Sequence, residues 1–274
     1  MYHALDTINY FSLKSQETRN KRDSEDDVLR DNVLKAFNFK RRKKRARQIK
    51  MTLEGQFGIV YNLKRIRRIM KKYEIICPIR KSNPYRRMMK ATKEHTVFSN
   101  LLNREFKQNI PGKVLLTDIT YLFYGNGCKA YLSTVKNDST NEILAYNLSD
   151  KLTLDIATNT IYNLMNNGQV TLSEDAFIHS DQGCHYTSPT FQSVVKSFKL
   201  GQSMSRRGIC WDNAPQESFF RHFKDEAFIK SCETLSELRE EIKQYMIYYN
   251  NFRYQWGLKK MTPVQYRNHL LDLA

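Results

Sequence analysis

The sequence predicts an α/β chain in which a mixed five-stranded sheet flanked by helices follows a small, basic, all-α domain. Three observations carry that expectation. At Val114 the chain changes from scattered cations to runs of β-branched and aromatic residues. Beyond that point, strand-like and helix-like stretches alternate. The charge is also lopsided: 45 Lys+Arg stand against 28 Asp+Glu in 274 residues, a net of +17. Residues 1–112 hold 28 basic and 11 acidic residues, whereas residues 113–274 hold 17 of each. The whole excess belongs to the N-terminal part, as when a basic arm for a polyanion is joined to a neutral body.

Residues 1–22 show no period and are expected to be loose. Residues 23–75 read as a basic helical domain. The acidic start DSEDD from Asp23 suits a helix N-terminus, and Val28, Leu29, Val33, Leu34 and Phe37 follow at helical spacing. Lys40 to Lys50, with eight basic residues among eleven, leads into a second helix whose apolar stripe is Ile49, Met51 and Leu53, ahead of Gly55. A third helix, Asn62 to Lys72, sets Leu63, Ile66, Ile69 and Met70 on one side and Lys64, Arg65, Arg67, Arg68, Lys71 and Lys72 on the others. Short helices with basic outer faces suggest a helix-turn-helix-like unit whose cations neutralise phosphates. The candidate contacts are Arg41, Arg42, Lys43, Lys44, Arg45, Arg47, Lys64, Arg65 and Arg68. Residues 76–112, with Pro78, Pro84 and Pro111 and no sustained period, read as a basic linker.

Residues 113–230 carry the sheet. Val114–Tyr124, Lys129–Lys136 and Glu142–Leu148 are separated by Gly125-Asn126-Gly127 and by Asp138 to Asn141, both turn signals, so three antiparallel strands are expected. A helix from Leu152 to Met165, with Leu154, Ile156, Ala157, Ile161 and Leu164 apolar, precedes a buried strand Ala176–Asp181. A helix Ser188–Phe198 and a short strand near Ser203–Ser205 follow. Then comes a helix with Asn213 as N-cap, Pro215 in its first turn and Gln216 completing a capping-box pattern. This β-β-β-α-β-α-β-α order is that of an RNase H-like sheet. Residues 231–274 are expected to add helices packed on the core: Ser236–Asn251, opened by Thr234 and Glu237, and one starting at Thr262-Pro263 with Tyr266, Leu270 and Leu271 facing inward.

Three acids stand in placed settings. Asp118 lies mid-strand on the face of Leu116 and Thr120. Asp181 ends a strand before Gln182-Gly183, and Glu217 lies just inside a capped helix. A buried, unpaired carboxylate is costly, and a divalent cation held by all three would remove that cost. With no histidine or cysteine among them they form a hard-oxygen set suited to Mg²⁺.

Asp118 in LTDITY, Asp181 in HSDQGCHYTS and Glu217 in SRRGICWDNAPQESFFRHFKDE, with 35 residues between the last two acids, resemble the DDE motif of insertion-sequence transposases. The likeness is to the bacterial family whose catalytic part is encoded by the second of two overlapping reading frames and whose core is shared with retroviral integrases. Lys224 matches that family's basic residue after the glutamate. Tyr248–Tyr266 is similar to its C-terminal signature, and Asn62–Ile75 to its helical segment, where Asn62, Lys64, Arg65, Arg68 and Met70 fit. Arg45 departs from the glycine often found there. The resemblance covers about residues 44 to 270. It implies a polynucleotidyl transferase cutting and joining DNA at the ends of a mobile element. Asp118, Asp181 and Glu217 would be its catalytic acids and the ligands of Mg²⁺ or Mn²⁺, as two ions. Lys224 would lie on terminal DNA. Arg206 and Arg207, between the second and third acids, are further phosphate candidates, and Trp211 is a stacking candidate. The partners implied are double-stranded DNA, at the element ends and at the target, and further copies of the chain. A first-frame helix-turn-helix protein, as partner or fusion, is also implied.

Five cysteines, odd in number and without a CxxC pair, argue against a zinc ribbon or a disulfide scaffold. The sequence shows no signal peptide and no apolar run long enough for a bilayer. The expectation is a cytoplasmic, nucleoid-associated bacterial protein without a membrane role. Two other readings stay open: an RNase H-like nuclease that never joins strands, and a noncatalytic DNA-binding regulator.

Overall fold

Val114–Tyr124 forms the longest strand among the described residues, β1, and the C-terminal part is laid out against it. The computed structural model describes residues 22–78, 109–205 and 214–273. The chain divides into two compact units, Met1–Ile79 and Arg80–Ala274. Most of the expected linker, with Asn213, Trp211, Arg206, Arg207 and the start of the chain, lies outside the described residues.

In the first unit a helix over residues 22–38 (α1), α2 (Ala46–Phe57) and α3 (Leu63–Lys72) surround Leu29, Val33, Ala36, Ile49, Leu53, Ile66 and Ile69. Gly55 does not end α2. A mid-helix glycine costs only about 1 kcal/mol against alanine, whereas the turn needs a left-handed residue, which Gly58 supplies at φ 64°. Asn62 caps α3 by accepting from the Lys64 backbone N–H at 2.9 Å. Val28, expected on the apolar stripe, is exposed, because Leu29, Val33 and Ala36 define the inward side.

The basic run divides into separate roles. Lys40 and Arg41 adopt positive φ and break the chain away from α1. Lys44 is buried; its ammonium donates to the carbonyls of Phe37 (3.4 Å), Arg42 (3.1 Å) and Phe39. It therefore satisfies carbonyls at the end of α1, which removes it from the phosphate contacts expected of it. Arg42 is buried as well. Arg68 grips buried Asp26, one bond being 2.7 Å, and Lys72 adds a bond of 3.0 Å. Those bonds, that of Arg68 foremost, hold the Asp26 carboxyl well below the usual carboxylate range. Arg68 is thus a structural cation. Arg41, Arg45, Arg47 and Lys64 are exposed.

In the second unit β2 (Cys128–Asn137) and β3 (Ile143–Ser149) pair antiparallel, while β4 (Phe177–Ser180) and β5 (Gly201–Met204) add in parallel, giving the order β3-β2-β1-β4-β5. This is the mixed five-stranded sheet expected. One face carries α4 (Asp155–Met165), the short α5 (Cys184–Thr187) and α6 (Pro189–Ser197) over Leu115, Val135, Ile161, Ile178 and Phe191. The other carries α7 (Ala214–Glu226) and α8 (Leu235–Asn251), where Phe219 and Phe223 meet Leu122, Leu132, Tyr245 and Tyr249. Helix α4 starts at Asp155, three residues later than expected, and Leu152 and Leu154 are exposed. The last helix, α9 (Pro263–Leu271), buries Tyr266 but exposes Leu271. Its docking rests on a Thr262–Gln265 capping box and on Arg267, which reaches buried Glu142 at 2.7 Å.

Candidate active site

The parallel pairing of β1 with β4 sets Leu116 opposite His179. Asp118 follows two residues later in β1, and Asp181 stands just past the end of β4 at Ser180. Both acids line a cavity of about 200 Å³, together with Ile119, Thr120, Tyr121, Tyr131, Leu152, Gly183, His185 and Tyr186. Asp181 is turned by its own loop: its Oδ1 accepts the Gly183 N–H at 2.9 Å. A Cβ added at Gly183 would lie 2.9 Å from that oxygen, so the glycine permits the close approach. Asp118 Oδ1 accepts the Ile119 N–H at 2.8 Å. His179, buried, pairs through Nδ1 with Ser203 Oγ at 3.0 Å and has a structural place under the site.

Glu217 lies in the first turn of α7, on the sheet face opposite α4. Its field reaches Asp118. The Asp118 carboxyl is pushed up to about 7, first by burial and then by the negative charges of Asp181 and Glu217, against a bond from Ile119 N–H and the positive charge of Lys224. The two other acids and Lys224 therefore all act on one carboxyl. Tyr186, fully buried beside it, has its hydroxyl held well above the ordinary range by burial and by the charges of Asp118 and Asp181. Among the described residues, no three His, Cys, Asp or Glu side chains are gathered tightly enough to hold one metal ion as they stand.

Two braces hold the helix that carries Glu217, and sequence reasoning missed both. At its start, Lys136 of β2 is fully buried, donates to the Pro215 carbonyl at 2.7 Å and reaches Asn141 Oδ1 at 3.3 Å. Burial pushes its ammonium down to about 8. Asn141 in turn donates to Gln255 Oε1 at 3.0 Å. Gln216, whose capping partner Asn213 lies outside the described residues, buries its side chain and donates to Thr134 Oγ1 of β2. At the far end of α7, buried Glu226 accepts from Arg253 at 2.7 and 2.8 Å and from the Tyr245 hydroxyl at 3.1 Å. Arg253 and Gln255 belong to the Tyr248–Tyr266 segment, so that stretch reaches both ends of α7, directly at one and through Asn141 and Lys136 at the other. The only signal in the sequence was a lysine inside an apolar strand.

Comparison with known proteins agrees with this layout. Two family models described as "Integrase core domain" match residues 108–210 and 217–271, and one described as "HTH-like domain" matches residues 24–83. The chain is 37% identical over 170 residues to the "Putative transposase InsK for insertion sequence element IS150" of Escherichia coli K12, covering 62% of this chain and 59% of that one. It is 34% identical over 227 residues to an "Uncharacterized transposase-like protein" of Haemophilus influenzae, covering 81% of this chain and 100% of that one. Among solved structures, the catalytic core domain of BIV integrase aligns with a TM-score of 0.43 at 14% identity, over 59% of this chain and 97% of that one. That likeness is too loose to say anything of the reaction.

Proposed function

The chain belongs to the family of insertion-element transposases with an integrase core domain behind an HTH-like domain, and from that premise we propose that it cuts DNA at the ends of a mobile element and joins those ends to a target. Asp118, Asp181 and Glu217 are the catalytic acids in this reading. The observation that carries it is the carboxyl of Asp118, raised to about 7 by burial and by the two other acids together. A divalent cation beside it would favour its anionic form at neutral pH.

The residues suit Mg²⁺ or Mn²⁺: every donor is a carboxylate oxygen, and the cavity on Asp118 and Asp181 is open to solvent. When bound, a pair of such ions supplies an activated oxygen nucleophile and a stabilised leaving oxygen. The chain's own residues do the rest. Asp118 and Asp181 present carboxylates from adjacent strands of a rigid sheet, and α7 presents Glu217 from a helix held at both ends. Lys224, two turns beyond Glu217, offers a cation to the DNA strand entering the site. In the HTH-like unit, Arg41, Lys43, Arg45, Arg47, Lys64 and Arg65 are the phosphate contacts, without Lys44, Arg42 and Arg68. Arg206 and Arg207 stay phosphate candidates from the sequence alone. DNA at the element ends and target, and further copies of this chain, are the partners; a first-frame helix-turn-helix protein is a further one. Among the described residues no helix is long and apolar enough to cross a membrane.

The test is end joining in vitro. Purified protein with Mg²⁺ and a duplex ending in the terminal repeat of its element should nick the end and join it to a plasmid. Asp181→Asn should reduce both steps by about a thousandfold or more while leaving duplex affinity within about threefold. Cleaved but never joined ends would assign the chain to plain nucleases, and a substantially active Asp181→Asn protein would remove the acid from the site.

A further inference from the structure

The hairpin of β1 and β2 carries a strip of side chains that strand cleavage does not use. Its register sets Tyr121 opposite Tyr131 and Phe123 opposite Lys129. Leu122 and Tyr124 alternate with them into the core, so Tyr121 and Phe123 point away from it. They are 56% and 53% exposed, with ring centroids 5.6 Å apart. A lysine stands over each ring: Lys224 Nζ is 4.8 Å from the Tyr121 centroid and Lys129 Nζ 5.7 Å from that of Phe123. The strip starts at the acids, because Tyr121 and Tyr131 line the same cavity as Asp118 and Asp181.

Two large rings at successive outward positions leave apolar area in water that a flat apolar partner would cover. That partner must also accept an ammonium at each ring, which calls for negative charge beside each flat face. Nucleic acid meets both demands, with one phosphate per base. A closed duplex does not, since its base faces are already stacked on one another; only unpaired bases offer them. Resting on the function proposed above, we propose that Tyr121 and Phe123 form a stacking subsite for one or two unpaired bases at the DNA end being processed. Lys129 and Lys224 take the phosphates that flank those bases. The enzyme accordingly holds its end frayed, with the scissile phosphate at the acids and the opened bases on the hairpin.

The experiment separates this subsite from the chemistry by replacing Mg²⁺ with Ca²⁺, so that complexes form without being processed. End duplexes carry 2-aminopurine at the terminal position, either paired or frayed by a mismatch. Wild type should quench the frayed probe and bind it about tenfold more tightly than the paired one. Tyr121→Ala should lose the quenching and the preference, Phe123→Ala should weaken both, and Tyr121→Phe should retain them. Since both rings are exposed, the variants should unfold at the wild-type temperature. Quenching by Tyr121→Ala equal to wild type, or equal affinity of wild type for paired and frayed ends, would overturn the subsite. So would a Tyr121→Ala change confined to sedimentation mass, which would assign the strip to contact between copies of the chain. None of these results touches end joining in Mg²⁺, which stands or falls on the acids.

Discussion

Replacing Asp118 by asparagine should stabilise the metal-free protein while abolishing its catalysis. The Asp118 carboxyl is raised from 3.8 to about 7 by burial and by its two acidic neighbours. The folded state therefore keeps a proton that the unfolded chain releases near pH 4. Stability carries no penalty from this group below about pH 4; it falls as pH rises, and the loss is complete above about 7. Three pKa units at about 1.4 kcal/mol each give about 4 kcal/mol as the full penalty. Water entering the open cavity should reduce it to about 2 kcal/mol. Asparagine keeps the shape without the charge, so in EDTA at pH 8 Asp118→Asn should be about 2 kcal/mol more stable, with the difference vanishing near pH 4. Urea unfolding followed by tryptophan fluorescence suits the measurement, because both tryptophans, Trp211 and Trp256, belong to the unit Arg80–Ala274. Adding Mg²⁺ or Mn²⁺ should stabilise the wild type and close the gap. A variant no more stable than wild type at pH 8 in EDTA would refute the electrostatic account of the site.

Three more outcomes are expected from the same geometry. Lys136→Met removes the donor to the Pro215 carbonyl, two residues before Glu217; end cleavage should fall about tenfold or more, and the Mg²⁺ concentration giving half-maximal rate should rise, with DNA affinity unchanged in filter binding. Arg253→Met strands the buried Glu226 carboxylate, which should cost about 3–5 kcal/mol in urea unfolding. The double change with Glu226→Gln should recover much of it; a double variant as unstable as the single one would contradict the pairing. Lys64→Ala should weaken duplex binding and lower the slope of log affinity against log salt by about one, at unchanged stability. Arg68→Ala, by contrast, should destabilise the N-terminal unit by exposing the need of Asp26 for its partner.

Much of this architecture was legible in the residues because its causes are local. The limits of β1, Val114–Tyr124, follow from the β-branched run that forms it. Thr262, Asn62 and Ser188 announce their helices because a cap bonds within three residues of itself. The alternation of strands and helices was enough to expect a mixed five-stranded sheet, since a crossover of given length and hand leaves few topologies. Asp118, Asp181 and Glu217 stood out for a related reason: an acid inside an apolar strand or at a capped helix start breaks the local pattern.

Tertiary structure alone decided the matters whose partners lie far along the chain. Lys136 and Pro215 are 79 residues apart, and Arg253 lies 27 residues from Glu226; no periodicity or cap motif encodes either pair. Gln216 donates its amide to Thr134, 82 residues away on β2, because a buried amide N–H must find a partner inside the protein. Lys44 turned inward to the carbonyls at the end of α1, although its neighbours in the basic run all read alike. The sequence by itself thus determined which acids the chain carries and which strands and helices bear them. Folding decided how those acids press on one another and what holds Glu217 in place, because charge interaction and burial depend on distances in space that linear order does not contain.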